Sequence, residues 1–192
     1  MNTDLRAVSS ALQKIWIFGG NVYMILITKA NTKMQFKEME TFGRAVLAEV
    51  YASYFPREWA DYLVESGHTA VALEAQAADG YRHYRVEVDG ALAGYFALHE
   101  QQDGVMILTH LYLRSDRRGQ GLGRRVMDFV LQEAVAAGVP AIKLVVLRAN
   151  KAAVSFYRRH GYEVEQEIVT LIGPGAELED YVMRREVNSP NK

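Results

Sequence analysis

The chain has no cysteine among its 192 residues. That excludes a disulfide framework and any thiolate chemistry, and it is compatible with a reducing, cytoplasmic home. It also has almost no net charge, with 22 Lys and Arg against 23 Asp and Glu for a formal −1. A chain this balanced lacks the basic footprint of a general nucleic-acid or anionic-membrane binder. No apolar run reaches the length of a membrane span. The first twenty residues contain Asp4 and no continuous apolar core with a cleavage site, so no signal peptide is expected. Repeats and low-complexity tracts are missing, and nothing calls for a bound metal. With 49% apolar and 23% charged residues, what is left is a globular chain. Its length suits one domain with a proper core and is too short for two comfortable ones.

What the chain does have is Arg118-Gly119-Gln120-Gly121-Leu122-Gly123, set between an apolar run, Val105 to Leu113, and a helix-patterned run from Leu122. A strand entering a glycine-rich turn and then a helix start is an anion-binding arrangement. Backbone N–H groups point outward there, and the helix dipole adds partial positive charge. Glycine allows the backbone to approach the anion with no Cβ in between. Arg117, Arg118, Arg124 and Arg125 bracket the turn, so the favoured ligand is a polyphosphate. The spacing is not Gly-x-Gly-x-x-Gly followed by the ribose-binding acid of a dinucleotide fold. No Lys-Ser or Lys-Thr follows to make a P-loop either.

The spacing does resemble Arg/Gln-x-x-Gly-x-Gly/Ala, the pyrophosphate-binding motif of the GNAT superfamily of acetyl-CoA-dependent N-acetyltransferases, with Arg118, Gly121 and Gly123 matching position by position. The resemblance implies that Arg118, Gly119, Gln120, Gly121, Leu122, Gly123 and Arg124 hold the pyrophosphate of acetyl-CoA. It further implies that the backbone of Leu111, Tyr112 and Leu113 pairs with the pantetheine arm like an added strand.

The rest of the chain is similar in order. Val22 to Thr28 reads as a strand, and Asn31-Thr32 as the cap of a helix running to about Tyr54. Two short helices follow, Arg57 to Glu65 and His68 to Ala78. Alternation over Tyr84 to Val88, the turn Asp89-Gly90, Leu92 to Glu100 and Val105 to Leu113 predict an antiparallel meander. Leu122 to Ala137 is a helix with Val126, Phe129, Val130 and Ala134 inward, ended by Gly138 and Pro140. Ile142 to Leu147 reads as a strand buried on both faces. A helix capped by Asn150 and two strands, Tyr162 to Ile172 and Glu179 to Val187, complete the chain. The predicted fold class is α/β (α+β) and GNAT-like: a central mixed, mostly antiparallel sheet with helices on both faces, spanning residues 21–187. Residues 1–20 carry some helical pattern (Val8, Leu12, Ile15) and read as an extension. Residues 188–192 read as a disordered tail.

A second resemblance is Asn150-x-x-Ala153-x-x-x-Tyr157, where the family implies that Asn150 and Ala153 meet the pantetheine arm and Tyr157 reaches the thioester sulfur. These positions share one helix face. Read from the residues alone, Asn150 merely caps the helix and Tyr157 is a core aromatic. Proton transfer from a phenol to a thiolate is uphill by about 2 kcal/mol at unperturbed values, so Tyr157 suits a hydrogen bond to the developing thiolate with late proton delivery.

The acceptor amine must also be deprotonated, at roughly 4.6 kcal/mol for a lysine-like ammonium at neutral pH. Several relatives place a Glu where this chain has Thr109. His110, beside it, suits a base by its ordinary titration range, although strand alternation puts it on the opposite face unless a β-bulge intervenes. His99 and Glu100 compete for the role, and a structural histidine is the other reading of His110.

The resemblance implies transfer of acetyl from acetyl-CoA to a primary amine, small or peptidic, by direct attack. The alternative is a catalytically weak acyl-CoA-binding module serving as a sensor or assembly subunit. Glu49, Glu58, Asp61, Glu65, Glu177, Glu179 and Asp180 favour a cationic acceptor. The runs Tyr54-Phe-Pro-x-x-Trp-x-x-Tyr62-Leu63 and Glu179-Asp-Tyr-Val-Met183 loosely resemble bacterial spermidine/spermine acetyltransferases. A homodimer is common among such relatives.

Overall fold

The computed structural model describes residues 12–18, 21–172 and 176–187. Residues 1–11 and 19–20 of the expected extension, residues 173–175 and the expected tail 188–192 lie outside them. The elements are β1 (Leu12–Phe18), β2 (Asn21–Lys29), α1 (Lys33–Tyr51), α2 (Arg57–Gly67), α3 (Ala70–Ala78), β3 (Arg82–Val88), β4 (Ala91–Glu100), β5 (Met106–Leu113), α4 (Leu122–Ala137), β6 (Ala141–Leu147), α5 (Lys151–Arg159), β7 (Glu163–Ile172) and β8 (Ala176–Glu186). They form one eight-stranded sheet in the order β1-β2-β3-β4-β5-β6-β8-β7. Every neighbouring pair is antiparallel except β5 with β6.

Local chemistry sets the boundaries. Thr32 caps α1 in a reciprocal box: its hydroxyl accepts from the Gln35 N–H while the Gln35 side chain accepts from the Thr32 N–H. Asp89 and Gly90 both have positive φ, at 51° and 80°, the conformation a two-residue hairpin needs. Gly138 closes α4 in the left-handed conformation.

Two apolar layers lie on opposite faces of the sheet. On one, Val126, Phe129, Val130 and Ala134 of α4 and Val154 of α5 pack onto Val86, Phe96, Leu98, Met106, Leu108, Ile142, Leu144 and Met183. On the other, Phe36 and Met39 of α1 and Leu73 of α3 pack around Tyr95, with Phe42 and Tyr112 against them.

Three expectations change. The helical pattern of the first twenty residues is not realised over Leu12–Phe18, which is a strand paired along its length with β2. The sheet therefore has eight strands rather than seven. A short stretch of mixed apolar residues carries too few turns to resolve period from chance, and an available sheet edge decides it. The long first helix ends at Tyr51 rather than Tyr54. β6 is not buried on both faces: Leu144 and Val146 face the α4 core, whereas Val145 is 56% exposed. Among the described residues no helix covers Val145, and periodicity alone does not reveal which faces a neighbour covers.

Candidate active site

The site grows from the one parallel junction in the sheet. β5 and β6 pair only at Met106 with Ile142 and Ile107 with Lys143. Beyond that, β5 continues against β4 to Leu113, and β6 continues against β8 to Leu147. The two strands part, leaving a notch edged on one side by β5 from Leu108 to Leu113, which no strand among the described residues pairs there.

A bulge in β5 decides which side chains face that notch. The β4–β5 register steps from Tyr95–Tyr112 to Ala97–Thr109, and His110 takes a positive φ of 57°, rare for a residue with a Cβ. Met106 and Leu108 point into the α4 core. Regular alternation would send His110 and Tyr112 after them. The bulge instead turns Leu111 and Leu113 into that core and brings His110 and Tyr112 to the α1–α3 face, against His68. Gly94 permits the close strand approach, because a Cβ there would lie 2.6 Å from the Tyr112 carbonyl oxygen and overlap Leu113.

At the end of β5 the chain runs through a short 3-10 turn, Ser115–Arg117, into the glycine loop. Gly119 and Gly121 have φ of 72° and 80°. Gly121 is the N-cap of α4 and supplies no side-chain cap, so the N–H groups of the first turn, starting at Leu122, face outward with the helix dipole behind them. The Leu122 side chain itself is core. Gly123 lies where a Cβ would meet the Phe156 ring at 3.0 Å, so α4 and α5 close on each other there. The Arg118 guanidinium donates from Nε and Nη2 to the Leu113 carbonyl at 3.3 and 3.2 Å and lies 3.9 Å from Glu49. The Gln120 amide donates to the Asp116 carbonyl. Arg124 is exposed at the loop's rim.

Across the notch, Asn150 caps α5 through its carboxamide oxygen, which accepts from the Ala153 N–H at 3.1 Å. The capping role is thus real, and among the described residues the amide nitrogen of Asn150 makes no hydrogen bond. Tyr157 packs edge-on against Phe156 and Tyr162 at the border of the α4 core. Burial, and then the nearby Tyr51 hydroxyl, hold its phenol well above the usual range, so it stays protonated until a strong base forms beside it.

His110 sits in a cluster that sequence reasoning did not assemble. Its ring lies 4.3 Å from that of His68 and 6.3 Å from that of His83, and its Nε2 is 3.2 Å from the Gln76 carboxamide oxygen. His68 Nδ1 is 2.9 Å from the Tyr95 hydroxyl. Burial lowers His68 and His83 to about 4, and burial together with these two neighbours carries His110 well below its ordinary value. With all three imidazoles held neutral by burial, His110 is a poor resting place for a proton taken from an ammonium. His99 and Glu100 lie at the far end of the meander: His99 stacks on Tyr81 at 4.2 Å, and Glu100 pairs with Arg82 at 2.7 Å. Of the acids that favour a cationic acceptor, only Asp180 is buried. Strand alternation in Leu178-Glu179-Asp180 carried that signal, with Leu178 and Asp180 turned inward.

The glycine loop, the parted strands and the two motif residues on α5 lie within one stretch of chain, and a family model for "Acetyltransferase (GNAT) family" matches residues 45–162, more than half the chain. The chain belongs to the GNAT acetyltransferase family. It is an acetyl-CoA-dependent N-acetyltransferase. Among curated relatives, an L-amino acid N-acyltransferase of Escherichia coli is 24% identical over 131 residues, covering 65% of this chain and 76% of that protein. A thialysine N-epsilon-acetyltransferase of Bos taurus is 27% identical, covering 55% of this chain and 72% of that one. Among solved structures, a PaiA N-acetyltransferase from Thermoplasma acidophilum in complex with coenzyme A superposes with a TM-score of 0.71 at 18% identity, over 84% of this chain and 98% of that one. That likeness establishes the GNAT fold, with its mixed, mostly antiparallel sheet and flanking helices. The described residues include no helix long and apolar enough to cross a membrane.

Proposed function

We propose that this GNAT protein moves acetyl from acetyl-CoA onto a primary amine by direct attack within the notch between β5 and β6. The observation that carries the reading is the uncapped, glycine-started N-terminus of α4 following β5, whose edge turned towards β6 has no strand partner beyond Ile107 among the described residues. In this reading the pyrophosphate rests on the N–H groups from Gly119 to Gly123, with Arg118 and Arg124 beside it and Gln120 shaping the loop. The pantetheine arm lies along Leu111, Tyr112 and Leu113, with Asn150 and Ala153 opposite. Arg118 then exchanges its hold on the Leu113 carbonyl for the phosphate oxygens. Tyr157 donates a hydrogen bond to the sulfur as the C–S bond breaks, and its elevated pKa delays the proton until thiolate charge has developed.

Tyr157→Phe tests this directly. We expect thiol release with amine acceptors to fall roughly 100-fold or more, the scale of losing a hydrogen bond to developing charge, while CoA affinity measured by calorimetry is retained. Unchanged turnover removes Tyr157 from the chemistry.

A further inference from the structure

One buried carboxylate near the notch lacks a cation. Asp180, on β8, pairs in register with Leu147, the last residue of β6, and is only 6% exposed. Its single hydrogen bond among the described residues is accepted from the Thr170 hydroxyl of β7 at 2.8 Å, and no ion pair among them reaches it. Arg148, the nearby cation in sequence on the β6 side, is engaged by Glu167 and Glu179 instead. A buried carboxylate of this kind is costly unless something positive arrives, and burial accordingly raises its pKa.

Its surroundings favour a cation as well. The Asp180 charge acts on the hydroxyl of Tyr51, the last residue of α1. The last turn of α1 carries no basic residue to neutralise the negative end of its dipole. Tyr51 stacks on Phe55 at 5.1 Å, with Tyr54 beside them, and aromatic faces add to the attraction for an ammonium. The same Tyr51 hydroxyl also acts on Tyr157. The geometric link between the two groups is β6: Asp180 lies opposite its last residue, Leu147, and Tyr157 lies on α5, the helix that follows it.

We propose that Asp180 is the counter-charge and proton acceptor for the acceptor's ammonium group, and that the acceptor is a cationic primary amine. This rests on the acetyltransferase reading of the site. The ammonium binds against Asp180 and gives it one proton. The freed lone pair forms the N–C bond to the acetyl carbon as the C–S bond breaks. The second nitrogen proton leaves as the sulfur is protonated through Tyr157, giving amide and thiol, and Asp180 returns its proton to water.

The test compares wild type, Asp180→Asn and, as a milder variant, Thr170→Val in thiol release. The acceptors are spermidine, 1,4-diaminobutane and L-lysine, with an arylamine that is uncharged at neutral pH. The expected result is turnover on at least one ammonium acceptor, with kcat/KM roughly 100-fold lower in Asp180→Asn, about tenfold lower in Thr170→Val, and acetyl-CoA KM unchanged in both. Any arylamine turnover should be spared. Wild-type kcat/KM on ammonium acceptors in Asp180→Asn overturns the proposal. So does an equal loss on the arylamine, and so does the absence of turnover on all the ammonium acceptors with CoA still bound. A wild type that fails to bind CoA by calorimetry overturns the acetyltransferase reading itself.

Discussion

Asp180 has a counterpart that shows what a satisfied buried carboxylate looks like in this molecule. Glu40 on α1, 7% exposed, accepts from Lys37, from the Ala70 N–H at the start of α3 and from Arg44. The Lys37 hydrogen bond, the Ala70 N–H and Arg44 outweigh burial and hold it at about 2. Its folded pKa lies below the ordinary carboxylate value, so its contribution is present above that value and is lost as pH falls towards 2. Glu40→Gln keeps the shape but not the charge, and is expected to cost about 2–3 kcal/mol in urea unfolding. A change near zero shows that solvent screens the cluster. The inward turn of Asp180 was legible in strand alternation, but the partners of neither residue were, because groups far apart in the chain determine which buried acid meets a cation. Glycines with a local job were legible: the positive φ of Gly119, Gly121 and Gly138 follows from turn and cap chemistry confined to a few neighbours.

At the scale of elements, α4 and the β3–β5 meander were readable because their patterns are long and their turns carry their own signals. The bulge in β5 was not. A bulge leaves the residue types of a strand unchanged and depends on what the neighbouring strand offers, here Gly94 opposite Leu113. It changes which face His110 and Tyr112 occupy, and so brings His110, the expected candidate base, beside His68 and His83. Gly94→Ala tests how far the bulge depends on that approach. We expect a loss of about 1–3 kcal/mol from overpacking, together with lower turnover as Tyr112 and Leu113 shift. Full stability with full activity shows that β4 yields without disturbing the notch.

For the whole molecule, the two layers differ in their response to acid. The α4 layer is almost wholly apolar, while the α1–α3 face holds His68, His83 and His110 as neutral imidazoles. Their folded pKa values lie below the unfolded value, so the folded state binds fewer protons. Their contribution is complete above about 6.5 and is lost as pH falls from there towards 4. Urea midpoints should therefore hold steady above neutral pH and decline from pH 6.5 downward, before ordinary carboxylates titrate. The double variant His68→Gln with His83→Gln should flatten that decline even if it lowers the plateau. A slope that persists assigns the acid response elsewhere.

The parallel junction bears on how the molecule holds together. Only two residue pairs join β5 to β6, so the sheet is two antiparallel ribbons, β1–β5 and β6–β8, sharing a narrow seam and packed onto the common floor of α4 and α5. Backbone opening is cheapest where such ladders are shortest. On the proposed reading, a donor arm laid along Leu111–Leu113 would lengthen that seam with hydrogen bonds from the ligand. The co-substrate would then also be a removable piece of the scaffold: the apo protein is expected to open as two ribbons, and the loaded one to unfold as a single cooperative unit, stabilised in proportion to the logarithm of donor concentration.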